Sequence, residues 1–278
     1  MIPLLPRKHA PQMKRILTLL LLLSLSLLLC GCGGNAREVQ PVATLVEQDY
    51  SLAFRTGDPS AYYVAAAIEA LNAEGLVDEL SVKWFGSRMV TFGKNAEALQ
   101  NMAPAEARSF IIGVDVNSFP MVYVTNGQYW GFDIELATAV CEKLGWELKI
   151  QSIEKENVYI ELSSGNIDCA WGGIALNQED LSAGRLAQYG PYIHNDIVIA
   201  KRGDAFLENK YMLSHKSLAM CSTVEAMEAL QSDSGIMNRL GQISRLAGGT
   251  TECFQYLYQG RCDVILTDTT AIYYFNCH

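Results

Sequence analysis

The sequence predicts an α/β fold built on parallel sheets, because three features coincide. Strand-like and helix-like segments alternate between residues 131 and 192, and a second strand, helix, strand order recurs between residues 217 and 268. Hydrophobic residues make up 50% of the 278 positions, enough for a substantial core. In such folds the loops at the carboxyl ends of the strands collect the ligand.

Residues 131–146 read GFDIELATAVCEKLGW, in which Ile134, Ala137, Val140, Cys141 and Leu144 recur at helical spacing while Glu135, Glu142 and Lys143 fall off that face. The spacing predicts a helix from about Asp133, as its N-cap, to Leu144, with Gly145 as its stop. A strand is expected from Glu147 to Ile153, then a short helix ended by Ser163-Ser164-Gly165, then a buried strand from Ile167 to Ile174. The string resembles the type II periplasmic amino-acid-binding proteins, family 3 of the bacterial extracellular solute-binding proteins, which are receptors of ABC importers. That family's signature runs G-F-D-[IV]-[DE]-L-A, L-G, L-x-x-G-x-[IV]-D, a Ser- or Gly-rich turn and P-Y, and every part is present up to Pro191-Tyr192. The resemblance covers residues 110 to about 276 and implies a two-lobed fold, each lobe a mostly parallel sheet flanked by helices.

From the first residue, Arg7, Lys8, Lys14 and Arg15 precede an apolar run from Ile16 to Leu29, the pattern of a secretory signal over residues 1–31. Leu29-Cys30-Gly31-Cys32 resembles a bacterial lipobox, and Cys32, which follows a small residue, is the expected lipidation site. The apolar run is shorter than the ~20 residues a spanning helix needs. Removal of residues 1–31 leaves 17 basic residues against an unchanged 30 acidic ones and moves the net charge from −9 to −13, which argues against nucleic acid as a partner. Residues 32–41 are expected to form a tether.

Strand-like runs follow at Val42 to Val46 and Tyr50 to Phe54. Asp58-Pro59 opens a helix whose face holds Val64, Ala67, Ile68 and Leu71 and which Gly75 ends; a shorter helix covers Val77 to Trp84. This segment resembles the end of the family's chain, not its beginning: Tyr50, Arg55, Gly57, Asp58, Gly75 and Lys83-Trp84-Phe85-Gly86 match the closing motifs, which are missing after Tyr273 to His278. A circularly permuted order is therefore expected. In it residues 42–46 and 204–278 form one lobe, residues 50–86 and 110–200 the other, and residues 87–109 the link. A fragment of a tandem pair and a segment-swapped array are the alternatives, and permutation implies a monomer.

Beyond the opening stretch, Asp196 to Ala200 is strand-like and leads into Lys201-Arg202-Gly203, where the family's chain crosses to its second lobe. A strand over Ser217 to Met220, a turn at Cys221-Ser222-Thr223, a helix over Val224 to Leu230, a helix holding Cys253, Phe254, Tyr256 and Leu257, and a strand over Asp263 to Leu266 complete the chain.

The resemblance places the ligand's ammonium partner at Asp268, an anion-binding turn at Ser222 and Thr223, and pocket residues at Asp115, Gly172, Gly173 and Ala175, with Phe119 and Trp171 as candidate lining. Plain helix capping is the competing role for Asp268 and Thr223, bracing of a loop for Asp115, and core packing for Phe119 and Trp171. Two positions depart from the family: Asp180 stands where an arginine clamps the ligand carboxylate, and Lys155 where an aromatic residue is usual. Arg185 is the candidate substitute for the clamp.

No catalytic constellation emerges: His9, His194, His215 and His278 are scattered, and no HExxH, GxSxG or Walker string is present. Beyond Cys30 and Cys32, Cys141, Cys169, Cys221, Cys253, Cys262 and Cys277 permit up to three disulfides or six free thiols, and none has metal-ligand spacing. The expected function is a lipid-anchored receptor on the outer face of the cell membrane. It would capture an amino acid or related amine for an ABC permease, without cofactor or metal. A sensor or a binding lipoprotein with a decayed pocket, and a dehydratase-like enzyme on the same scaffold, are the alternatives.

Overall fold

The computed structural model describes residues 37–278; the signal segment, Cys30 and Cys32 lie outside the described residues. Its centre is a pair of long antiparallel strands, β1 (Val39–Arg55) and β7 (Leu186–Arg202). Around them the other main-sheet strands are β2 (Ser109–Val114), β5 (Glu147–Ser152), β6 (Cys169–Ala170), β8 (Leu218–Cys221), β9 (Ile243–Leu246) and β10 (Val264–Asp268). β3 (Tyr123–Thr125) and β4 (Gln128–Trp130) form a separate hairpin. The main sheet runs β5-β2-β6-β1-β7-β10-β8-β9. β5, β2 and β6 are parallel on one side, β10, β8 and β9 parallel on the other, and the antiparallel pair joins the two halves. The expected mixed α/β architecture is present, with two parallel half-sheets on a shared antiparallel core.

Each long strand serves both halves. The end of β1 pairs with β6 at Ala53↔Ala170, while the end of β7 pairs with β10 from Val264↔Lys201 to Asp268↔Ile197. Register shifts interrupt the β1–β7 ladder at three places, among them Tyr50/Leu52, beside the crossing of the two halves, where bulges re-aim side chains. One hydrophobic cluster gathers Tyr50, Leu52, Phe54, Val64, Ile68, Trp84 and Phe85 with Phe110, Phe132, Val140, Trp171 and Tyr192. Two further clusters hold the other half: Val39 packs with Val198, Phe254 and Ile272, and Val42 to Val46 pack against Ile197, Leu218 and Leu266.

The helices are α1 (Ser60–Ala73), α2 (Leu76–Phe85), α3 (Phe132–Leu144), α4 (Val158–Ser163), α5 (Gln178–Ser182), α6 (Val224–Ser232), α7 (Ser234–Met237), α8 (Gly249–Tyr258) and α9 (Thr269–Cys277). An aromatic group joins the halves: Tyr274 on α9 packs on Trp84 at 5.8 Å and on Phe119 at 4.8 Å between ring centroids.

Several expectations are corrected. The two short strands at 42–46 and 50–54 are one strand, because the ladder to β7 continues through Glu47, Gln48 and Asp49 whatever their side chains. That strand begins at Val39, so residues 39–41 of the expected tether are hydrogen-bonded to β7. β7 likewise begins ten residues before Asp196. The strand expected from Ile167 to Ile174 shrinks to Cys169–Ala170, since Gly172 and Gly173 turn the backbone to positive φ. Residues 87–109 hold no regular element before Ser109 yet are packed down: Val90 is buried, Thr91 N–H donates to the Tyr192 carbonyl at 2.8 Å, and Phe92 stacks on Tyr189 and Tyr192.

Candidate functional site

The pairing of β7 with β1 on one side and β10 on the other brings together groups far apart in sequence. Tyr50 on β1 and Asn195 on β7 are buried, and both face Asp268 at the end of β10. Asn195 Nδ2 donates to Asp268 Oδ1 at 2.7 Å and to the Tyr50 hydroxyl oxygen at 2.8 Å, and the Tyr50 hydroxyl makes a long 3.4 Å contact to the same carboxylate oxygen. Asn195 is itself fixed by Thr270, whose N–H and hydroxyl donate to its Oδ1 at 3.2 and 2.9 Å. Asp268 occupies the N-cap position of α9, but its side chain makes no capping bond. Its carboxylate is thus aimed at Asn195 instead of into its own helix.

Burial raises the Asp268 pKa to about 6, with the Glu225 carboxylate adding to the rise and Asn195, Lys155 and Tyr50 opposing it. Burial and then Asp268 also push the Tyr50 hydroxyl well above its usual value. Glu225, in the first turn of α6, pairs with Lys155, which lies on a short turn of 3-10 helix just before α4. This ion pair joins the two halves across the cleft. A small space of about 30 Å³ lies among Asn117, Cys221, Glu225, Thr250 and Asp268, and a larger one of about 300 Å³ is lined by Gln48, Lys155, Tyr159, Ala175, Asn177 and Asp180.

The residues expected from sequence fall into three groups. Asp268 lines the small space and Ala175 the larger one, Ala175 bridging to Tyr50 by backbone pairing. Phe119 and Thr223 line a neighbouring opening together with Asn117 and Gly248. Thr223 also caps α6, its hydroxyl accepting from Ala226 N–H at 3.2 Å, while Ser222 is exposed. Asp115 accepts from Asn117 N–H at 2.9 Å, the bracing role.

A second group lies in the core. Trp171 is fully buried, and its indole N–H donates to Asp133 at 3.2 Å. A side chain at Gly173 would come within 2.5 Å of Ser118 Cβ, and one at Gly172 within 2.9 Å of Val114 and Val122. The Gly173 N–H is already bound to Asp133 at 2.8 Å. These glycines therefore permit close packing and offer no free donor at residue 173. The third group is Arg185, half-exposed, paired with Asp180 at 2.9 Å and lying over the Tyr159 ring.

Sequence reasoning missed Tyr50 and Asn195 as site residues, because nothing in a strand pattern says which side chain meets a distant loop. Glu225 and Lys155 were legible only as a helix start and a departure from the family pattern. Asp133 is corrected from N-cap to buried acceptor: Gly131 holds the N-cap position, and the Asp133 carboxylate receives Trp171, Gly173 and Tyr192. The six cysteines of the described residues are all free thiols; Cys221 and Cys253 lie closest, 3.8 Å between sulfurs. Among the described residues no helix is long and apolar enough to cross a membrane, and no cluster of metal-ligating side chains gathers.

Residues 110–240 match the family model of bacterial extracellular solute-binding proteins, family 3. It is 28% identical over 90 residues to a "probable amino-acid-binding protein" of Bacillus subtilis, covering 32% of this chain and 34% of that one. It is 22% identical over 186 residues to a "probable amino-acid ABC transporter-binding protein" of Haemophilus influenzae, covering 62% and 65%. The chain thus spans about a third of the first relative's length and somewhat under two thirds of the second's. Among solved structures, an ABC uptake transporter substrate-binding protein of Streptococcus pneumoniae with bound histidine is 26% identical, with a TM-score of 0.46 over 60% of this chain and 68% of that one. A polar amino acid ABC uptake transporter substrate-binding protein of Streptococcus thermophilus is 25% identical, with a TM-score of 0.44 over 58% and 61%.

Proposed function

We propose that the chain is an exported, lipid-anchored receptor that binds an amino acid or related amine between the two halves of its sheet and presents it to an ABC permease. The observation that carries the reading is Asp268: a carboxylate set inside the fold, unused for capping, held by Asn195 where β7 lies between β1 and β10. A buried carboxylate with a raised pKa gains most from an arriving cation, so an ammonium group is the natural occupant. β1 and β7 run through both halves, and bending of this shared pair would open and close the cleft. The names of the Bacillus and Haemophilus relatives point to the same ligand class. Lipidation at Cys32 would hold the receptor at the membrane.

A permuted chain order belongs to this reading. It is supported by the shared core of residues 50–92 with residues 110–193, and by the packing of residues 39–46 with the half that contains β8, β9 and β10. Thermal shift of the purified protein across a panel of amino acids and amines tests the function. A ligand should raise the melting temperature of the wild type, and Asp268→Asn should remove that response. An unresponsive wild type, or an unaltered response in Asp268→Asn, would reject the reading.

A further inference from the structure

The Lys155–Glu225 ion pair crosses the cleft from one half of the sheet to the other, with side chains 24% and 34% exposed. Glu225 and Asp268 line one small space on the far wall, and the Lys155 charge is felt at Asp268. One ammonium therefore serves two carboxylates. Lys155 also lines the larger cavity of about 300 Å³, at the lower end of small-molecule sites.

We infer that Lys155 and Glu225 are the two poles of the ligand socket, and that a zwitterionic ligand enters by exchanging ion pairs with them. Its ammonium replaces that of Lys155 against Glu225 and Asp268, and its carboxylate takes the Lys155 ammonium so released. The inference rests on the amino-acid reading above and adds the residue that reads the carboxylate. Charge pairing decides the ligand class. A zwitterion trades one ion pair for two, whereas a simple amine leaves Lys155 without a partner, and a simple carboxylate leaves Glu225 and Asp268 facing one another without a cation. Arg185 is committed elsewhere, to Asp180 and the Tyr159 ring, with about half its side chain in solvent.

The test is titration calorimetry of the wild type, Lys155→Met, Lys155→Arg and Arg185→Ala. The probes are the amino acid that best stabilises the wild type in the thermal-shift panel and the amine obtained from it by decarboxylation. The wild type should prefer the amino acid. Lys155→Met should bind it about 30-fold or more weaker, the lower range for removing one partner of a buried charge pair. The same variant should bind the amine more tightly than the wild type, because no lysine then competes for Glu225 and Asp268, which a merely structural loss would not do. Lys155→Arg should recover part of the amino-acid affinity, and Arg185→Ala should match the wild type. Unchanged amino-acid binding in Lys155→Met, or loss in Arg185→Ala instead, would overturn the inference while leaving the receptor reading intact. A wild type that responds to no member of the panel would defeat both.

Discussion

Replacing Asp133 by asparagine should be among the most damaging single changes in the half of the fold that contains it, and the damage should depend on pH. The Asp133 carboxylate is fully buried and receives only donors: Trp171 Nε1 at 3.2 Å on one oxygen, Gly173 N–H at 2.8 Å and the Tyr192 hydroxyl at 2.7 Å on the other. Asparagine has a single acceptor, so its oxygen can keep Gly173 and Tyr192 while its NH2 group faces the Trp171 N–H. Two buried donors are then unsatisfied, at about 1–3 kcal/mol each. A net loss of about 2–5 kcal/mol corresponds to a fall of roughly 5–15 °C in melting temperature for a domain of this size.

The pH dependence follows from the wild-type carboxyl. Burial raises its pKa from 3.8 to about 7 against the opposing donors, so between these values the folded state holds a proton that the unfolded chain has released. The wild type therefore loses stability from this group as pH rises from about 4 to about 7, by up to ~1.4 kcal/mol per pH unit. The asparagine variant lacks that slope, and the other titrating groups are common to both proteins. Urea denaturation at pH 5.0 and 7.5 should show the gap between the two proteins narrowing at the higher pH. A gap that widens, or a variant within about 0.5 kcal/mol of the wild type at pH 5, would refute the reasoning.

Gly173→Ala should destabilise by about 2–4 kcal/mol, combining a left-handed φ of +62° with a 2.5 Å approach to Ser118 Cβ, and thermal denaturation should register it. Cys32→Ala should release the protein from the membrane fraction, as read by fractionation and immunoblotting, whereas Cys30→Ala should not. Light scattering of the mature protein should give a monomer if one chain supplies both of its own halves; a concentration-dependent dimer would favour exchanged segments.

The long apolar periodicities of α1, α2, α3 and α8, the parallel half-sheets and the family resemblance of residues 110–240 were legible in the sequence, because a helix face or a buried strand is a local pattern written over ten or so residues. What only the tertiary structure decided lies between segments. The polar run Glu47-Gln48-Asp49 reads as a break between strands, yet backbone pairing to β7 carries one strand through it. Asp133 reads as a cap because it follows Gly131 at a helix start, yet Trp171 and Tyr192, 38 and 59 residues away, make it a buried acceptor. Asn195, Tyr50, Lys155 and Glu225 come together only because the pairing of two long strands and the packing of the two halves bring them within reach. Local spacing encodes which face of an element is buried; the partner that a polar side chain meets across the sheet is set by register and packing, which no single window of sequence contains.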